Sequence, residues 1–193
     1  MELLFSLALG IGLSAATGFR IFVPALLASG ASILGWISPG EEFQWLATWP
    51  AFAVFATASL VEVGAYYVPW IDNALDTIAV PGSVLAGGLI ATSFIEVDSP
   101  MLQWIIGMMA GGSTAGLVQT GTALLRGAST ATTGGLANSV VSTSENVAAL
   151  TVSAASILVP ILGLLLTLTI GWLLWRGWRR LRRQPRQRLD TAP

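Results

Sequence analysis

The apolar positions of this chain fall into long runs separated by short polar clusters, and the length of each run decides what it can form. The first run extends from Leu3 to about Ile37. As one straight helix its roughly 35 residues would measure ~52 Å, against ~30 Å for the hydrocarbon core of a bilayer. It must therefore break, and Gly18-Phe19-Arg20 ahead of Pro24 is the predicted place. Residues 38–50, SPGEEFQWLATWP, alternate Glu41 and Glu42 with Phe43, Trp45, Leu46 and Trp49, the pattern of an interfacial loop or short surface helix. A span over Ala51 to about Val68 follows. Residues 69–82 then carry prolines near both ends and acids at Asp72 and Asp76, which predicts a short interfacial helix between turns. Another span, roughly Ser83 to Ile95, stops at the polar Glu96-Val97-Asp98-Ser99-Pro100.

From Met101 to about Leu125 the pattern predicts a helix rich in small residues, with Gly107/Gly111 and Gly112/Gly116 both at the spacing that lets helix backbones approach closely in lipid. Residues 127–146 are crowded with hydroxyls, contain Gly134-Gly135, and carry one charge, Glu145. A final span runs from Val147 to Trp175, bent at Pro160, with Trp172, Trp175 and Trp178 as an interfacial belt. Residues 15–18 with 24–27 resemble residues 113–116 with 122–125 at a constant offset of 98, which predicts two related halves of the kind common among transporters.

Composition sharpens this picture. The chain has 193 residues, of which 54% are hydrophobic and 10% charged, for a net charge of -1; ordinary globular chains carry roughly 25% charged residues. There is no His, Cys or Lys, so a Ser/His/Asp triad, a cysteine nucleophile, a His/Cys zinc site, a Schiff-base lysine and a Walker lysine are all excluded. Met1-Glu2-Leu3-Leu4-Phe5 has no basic residue ahead of its apolar run, which argues for a retained first helix over a cleaved signal peptide. Seven of the nine basic residues, Arg176, Arg179, Arg180, Arg182, Arg183, Arg186 and Arg188, lie in the tail. This divides the chain into a transmembrane domain, residues 1–175, and a basic cytoplasmic tail, residues 176–193, that meets anionic lipid and not nucleic acid.

Charged residues inside apolar runs are the functional candidates, because lipid burial penalises them unless they are paired, hydrated or used. Glu62 is one; it either works inside the bundle or caps a neighbouring helix. Asp72 and Asp76, four apart and joined by Asn73, share one helix face and either bind a hard cation with Glu62 or serve as a hydrated helix cap. Arg20 and Arg126, near the two corresponding helix breaks of the proposed duplication, either snorkel to headgroups, pair with Glu62 or Glu145, or meet an anionic substrate. Thr132, Thr133, Ser142 and Thr143, with Glu145 and Asn146, either back-bond to their own helix or line a polar path opened by the double glycine. The Asp-x-x-x-Asp spacing also occurs in CDP-alcohol phosphotransferases and membrane prenyltransferases, but the further motifs those enzymes need are missing.

A glutamate near the end of a span, then Pro69-Trp70-Ile71-Asp72-Asn73-Ala74-Leu75-Asp76-Thr77-Ile78, Pro81-Gly82-Ser83-Val84-Leu85-Ala86-Gly87-Gly88 and Gly127-Ala128-Ser129-Thr130-Ala131-Thr132-Thr133-Gly134-Gly135-Leu136-Ala137-Asn138-Ser139, resemble the bacterial membrane family DUF4126 over most of residues 3–170. The chain departs from that pattern between the glutamate and the proline, reading Gly64-Ala65-Tyr66-Tyr67 where the family has an aspartate. The resemblance implies a small multi-pass membrane protein without an established activity. The expectation is an all-α integral membrane bundle of five to seven helical segments, some short or re-entrant, in a bacterial inner membrane with a cytoplasmic C-terminus. It is expected to be a non-enzymatic, cofactor-free transporter or channel for a small solute or cation, or else a scaffold or lipid-binding partner, and a homodimer in either role.

Overall fold

The computed structural model describes residues 2–67 and 69–183, leaving out the side chains of residues 69–74, 76, 77, 178 and 180–183. The described part is helical: α1 (Glu2–Thr17), α2 (Phe22–Ile33), a 3-10 turn (Glu41–Ala47), α3 (Trp49–Ala65), α4 (Pro69–Phe94), α5 (Pro100–Ile106), a π turn (Gly107–Gly111), α6 (Gly112–Thr133), α7 (Asn138–Leu158) and α8 (Pro160–Arg183). Two helices are long and apolar enough to cross a membrane, Pro100–Thr133 and Pro160–Gly177; the 3-10 turn and α3, bent by 67°, make a third if they form one span.

The first apolar run breaks where chain length requires it, at Gly18–Ile21, and α2 turns back beside α1. The backbone contacts fix its direction. Near the start of α1, Ser6 Oγ accepts from Glu96 N–H at 3.2 Å, and Gly40 N–H beyond α2 donates to Ser93 O at 2.8 Å, so both outer ends of the pair lie beside the end of α4. The turn at residues 18–21 reaches the level of Gly82, whose added Cβ would sit 3.2 Å from Ile21. At about 24 Å and 18 Å, neither arm would cross a ~30 Å core alone.

Four features differ from the sequence expectation. Residues 69–94 form one helix with Pro81 inside it, instead of an interfacial helix and a separate span. The proline lacks an N–H, but tight packing of Gly87 and Gly88 on the next helix holds the segment helical. The helix starting at Pro100 continues to Thr133, absorbing much of the hydroxyl-rich segment. Pro160 does not bend one long helix but separates two, because Val159 leaves helical geometry at φ -143°. Finally, residues 113–125 lie inside uninterrupted α6 while their counterparts at 15–27 straddle a helix break, so Arg126 is not at a break. With Pro100–Thr133 taken as one helix through its π turn, the described residues hold seven α-helical segments, within the expected five to seven.

The small-residue spacing does what it predicts. A Cβ on Gly107 would lie 2.7 Å from the Thr92 backbone, and one on Gly111 would lie 2.5 Å from Gly87 O, so the two backbones touch across α4 and the π turn. Gly112 and Gly116 meet Val84 of α4 in the same way. Ser14 Oγ ties α1 to this pair by donating to Gly87 O at 2.6 Å.

Candidate functional site

The turn at residues 18–21 is built from the backbone up. Gly18 crosses α6 so closely that a Cβ there would stand 2.5 Å from Ala115 O and 2.6 Å from Val118 Cβ. Two helix ends meet at this turn with opposite partial charge, and each finds its complement. Ile21 and Phe22, at the start of α2, donate their free N–H groups to the two oxygens of Glu62 at 2.7 and 2.9 Å. At the close of α1, Arg20 Nη1 donates to Phe19 O at 3.2 Å.

Arg20 then reaches α7. Its Nη1 lies 3.0 Å from Glu145 Oε2, its Nε donates to Asn146 Oδ1 at 2.6 Å, and its Nη2 donates to Ser142 O at 3.2 Å. Arg126 approaches the same carboxylate from α6, with Nη2 3.4 Å from Oε1. Both guanidinium carbons also lie over the Tyr66 ring, at 3.9 and 4.8 Å from its centroid. Arg20 and Arg126 are 1% exposed and Glu145 is 3% exposed, so these charges are shut away from solvent. From Asn146 a polar chain leads outward: Asn146 Nδ2 donates to Tyr67 Oη at 3.3 Å, and that hydroxyl is 3.0 Å from Thr143 Oγ1.

The structure therefore joins Arg20, Arg126, Glu145 and Asn146 and overturns the snorkelling option for both arginines. Glu62 takes the helix-capping role. Ser142 contributes a carbonyl, Thr143 its hydroxyl, while Thr132 and Thr133 are exposed, donate to Ala128 O and Ser129 O of their own helix at 2.8 Å each, and stand apart from this cluster. Gly134 and Gly135, at φ 63° and 89°, form the turn between α6 and α7. The side chains of Asp72, Asn73 and Asp76 lie outside the described residues; among the described ones, no three acidic, His or Cys side chains gather as for a metal ion. Tyr66 and Tyr67 were missed as site residues. The sequence signal was their place one turn after Glu62, at the position where the chain departs from the family pattern.

An open groove of about 620 Å³ runs along α3 beside this site, lined by α3 residues from Ala53 to Ala65 and by Tyr66, Phe22 and Leu75, with Glu62 the one charged wall residue among the described residues. At the same end, Arg176 lies over Trp172 at 5.1 Å and Arg179 over Trp175 at 4.0 Å. Trp172 and Trp175 are two of the three tryptophans expected to form an interfacial belt; the side chain of Trp178 and residues 184–193 lie outside the described part. Gly121 of α6 packs on Leu174 of α8. The two helices run the same way, so Arg126, a turn or so beyond Gly121, is level with this belt.

The cluster predicts how Tyr66 responds to substitution. Tyr66→Phe keeps the ring and should change stability by under about 1 kcal/mol, whereas Tyr66→Leu should lose about 1–3 kcal/mol of cation–π contact with two desolvated guanidiniums. Thermal unfolding of both variants in detergent checks the ordering; equal losses would show that the ring is mere filler.

Comparison with known proteins adds one finding. The family model described as Domain of unknown function (DUF4126) matches residues 7–180. No curated protein and no solved structure matches the chain.

Proposed function

Because this chain belongs to the DUF4126 family, whose description assigns no activity, its function must be argued from its own site, and we propose a non-enzymatic membrane transporter for a small solute. The observation that carries this reading is the α1–α2 hairpin, whose turn is pinned by the buried Arg20–Glu145 pair. Paired half-helices, each too short to cross alone, recur in transporters, where substrate sites form at such helix ends. Here both half-helix ends are held by charge, Glu62 on one and Arg20 on the other, so releasing the contacts frees the turn as a unit. Glu62 and Glu145 are already engaged, which moves the emphasis from a bare cation site to a latch that gates the path of a small solute. In this reading the latch lies at the level of the arginine–tryptophan stacks, toward one membrane face, and the positive-inside rule favours the cytoplasmic one of a bacterial inner membrane.

The test is flux into sealed liposomes carrying the purified chain, with protons, sodium, potassium, chloride and inorganic phosphate as probes. Wild type should carry at least one of them. Asn146→Leu, which removes the 2.6 Å acceptor from Arg20 while leaving both ion pairs, should alter that flux at least fivefold without lowering expression. If wild type moves none of the five, the non-transporting scaffold becomes the better reading; the close glycine packing and the arginine–tryptophan belt, poised for anionic lipid, favour it specifically.

A further inference from the structure

Glu62 stands in an unusual setting. Its two oxygens accept backbone N–H groups, and among the described residues no basic side chain lies within ion-pair distance of it. On its other side is the groove of about 620 Å³, within the ~300–1,000 Å³ typical of small-molecule sites. A carboxylate has roughly four acceptor positions, so two bonds from N–H dipoles leave it capacity for another donor. The adjoining arginines do not supply that donor: both approach Glu145, and Tyr66, which lines the groove, lies between them and the open space.

The groove's shape narrows the choice of occupant. α3 packs against α2 and the 3-10 turn, while Val54, Leu60 and Val61 remain 65%, 76% and 66% exposed, so the groove opens sideways at the periphery of the bundle. Between Ala53 and Ala65 it follows α3 for about 18 Å, close to the ~15 Å of one leaflet of a ~30 Å core. Its charged end lies at the level of the tryptophan–arginine belt, where headgroups sit, and its apolar end points toward the midplane. A single acyl chain fits the length, and a head that donates hydrogen bonds and carries positive charge fits the carboxylate.

We propose that this groove is a lipid site selective for an amine-headed phospholipid, with Glu62 receiving the ammonium and the wall from Ala53 to Val61 holding one acyl chain. The proposal rests on the membrane-embedded reading above but does not require transport. The full chain, purified in a neutral detergent, is mixed with phosphatidylethanolamine, phosphatidylcholine or phosphatidylglycerol of identical chains, and retained lipid is counted by native mass spectrometry. Phosphatidylethanolamine should be retained at least fivefold more than either competitor. Glu62→Gln should abolish the preference, because an amide keeps one of the two acceptors for α2 but not the charge. Ala58→Trp, which fills the groove and leaves the carboxylate, should remove bound lipid even if Glu62→Gln fails to fold. Equal retention of the anionic lipid, or a preference untouched by either variant, would overturn the assignment. Flux measured on the same preparations separates the two proposals, since a chain that transports without lipid preference loses only this one.

Discussion

Glu145→Ala is expected to be the most damaging single truncation of a polar side chain in this protein, costing about 3–5 kcal/mol. The reason is convergence. Two guanidiniums, each 1% exposed, converge on this one carboxylate at 3.0 and 3.4 Å, and removing it leaves both buried beside each other. Burying an ion pair is seldom a net gain over apolar packing, but deleting the shared carboxylate takes from both guanidiniums the opposite charge they approach, which their other contacts offset only in part. In a chain of this size the loss corresponds to a drop on the order of 10 °C in melting temperature. Heating followed by fluorescence-detected size exclusion in detergent measures it. Adding Arg126→Leu to Glu145→Ala should restore part of the loss, because the repelling pair is then reduced to one charge. A shift below about 2 °C for Glu145→Ala would mean that the cluster is hydrated in solution and carries little of the fold.

Gly111→Val is expected to be comparably severe for a different reason. A Cβ at Gly111 would stand 2.5 Å from Gly87 O and 2.8 Å from Ser14 Oγ, so the side chain meets backbone and must separate α4 from the π turn. Overpacking of this kind costs about 1–3 kcal/mol when the core can yield, and here the obstacle is a carbonyl on a neighbouring helix. The Ser14 bond to Gly87 O lies in the same crossing and would be lost with it. Gly127→Ala is the matched control, since nothing lies within 4 Å of that position; inside α6 it should be neutral or gain about 0.5–1 kcal/mol from helix propensity. Similar melting temperatures for the two variants would show that the glycine crossing is loose.

What was legible in the sequence follows from which forces act locally. The break at Gly18-Phe19-Arg20 could be read because a run of that length cannot remain straight within a bilayer, and the glycine spacing could be read because close helix approach needs small residues at fixed intervals. The continuity of α4 through Pro81 could not. A proline favours a break by local rules, and only packing against α1 and α6, invisible in one dimension, outweighs it. The same limit applies to the site. Arg20 and Glu145 were both marked as costly in lipid and as partners for each other, yet 125 positions separate them. Their pairing depends on α1 ending at the level where α7 passes. Tyr66 and Tyr67 carry no charge and sit at the end of an apolar helix, so no burial penalty drew attention to them. Thr132 and Thr133 misled in the opposite direction: hydroxyl density suggested a lining, but a threonine in a helix can satisfy itself on the preceding turn.

The π turn at Gly107–Gly111 sets the rotational phase of the helix that follows it. Upstream, the helix must present Gly107 to Thr92 of α4; downstream, the same rod must present Arg126 to Glu145 of α7. Each residue advances an α-helix by about 100°, and a π turn accommodates one residue more than the regular ladder. With one residue fewer between Gly107 and Gly111, every side chain beyond would swing by about that angle, turning Arg126 away from Glu145 while leaving the glycine contacts upstream in place. A single extra residue in the middle of the helix thus fixes the azimuth of a guanidinium several turns further on.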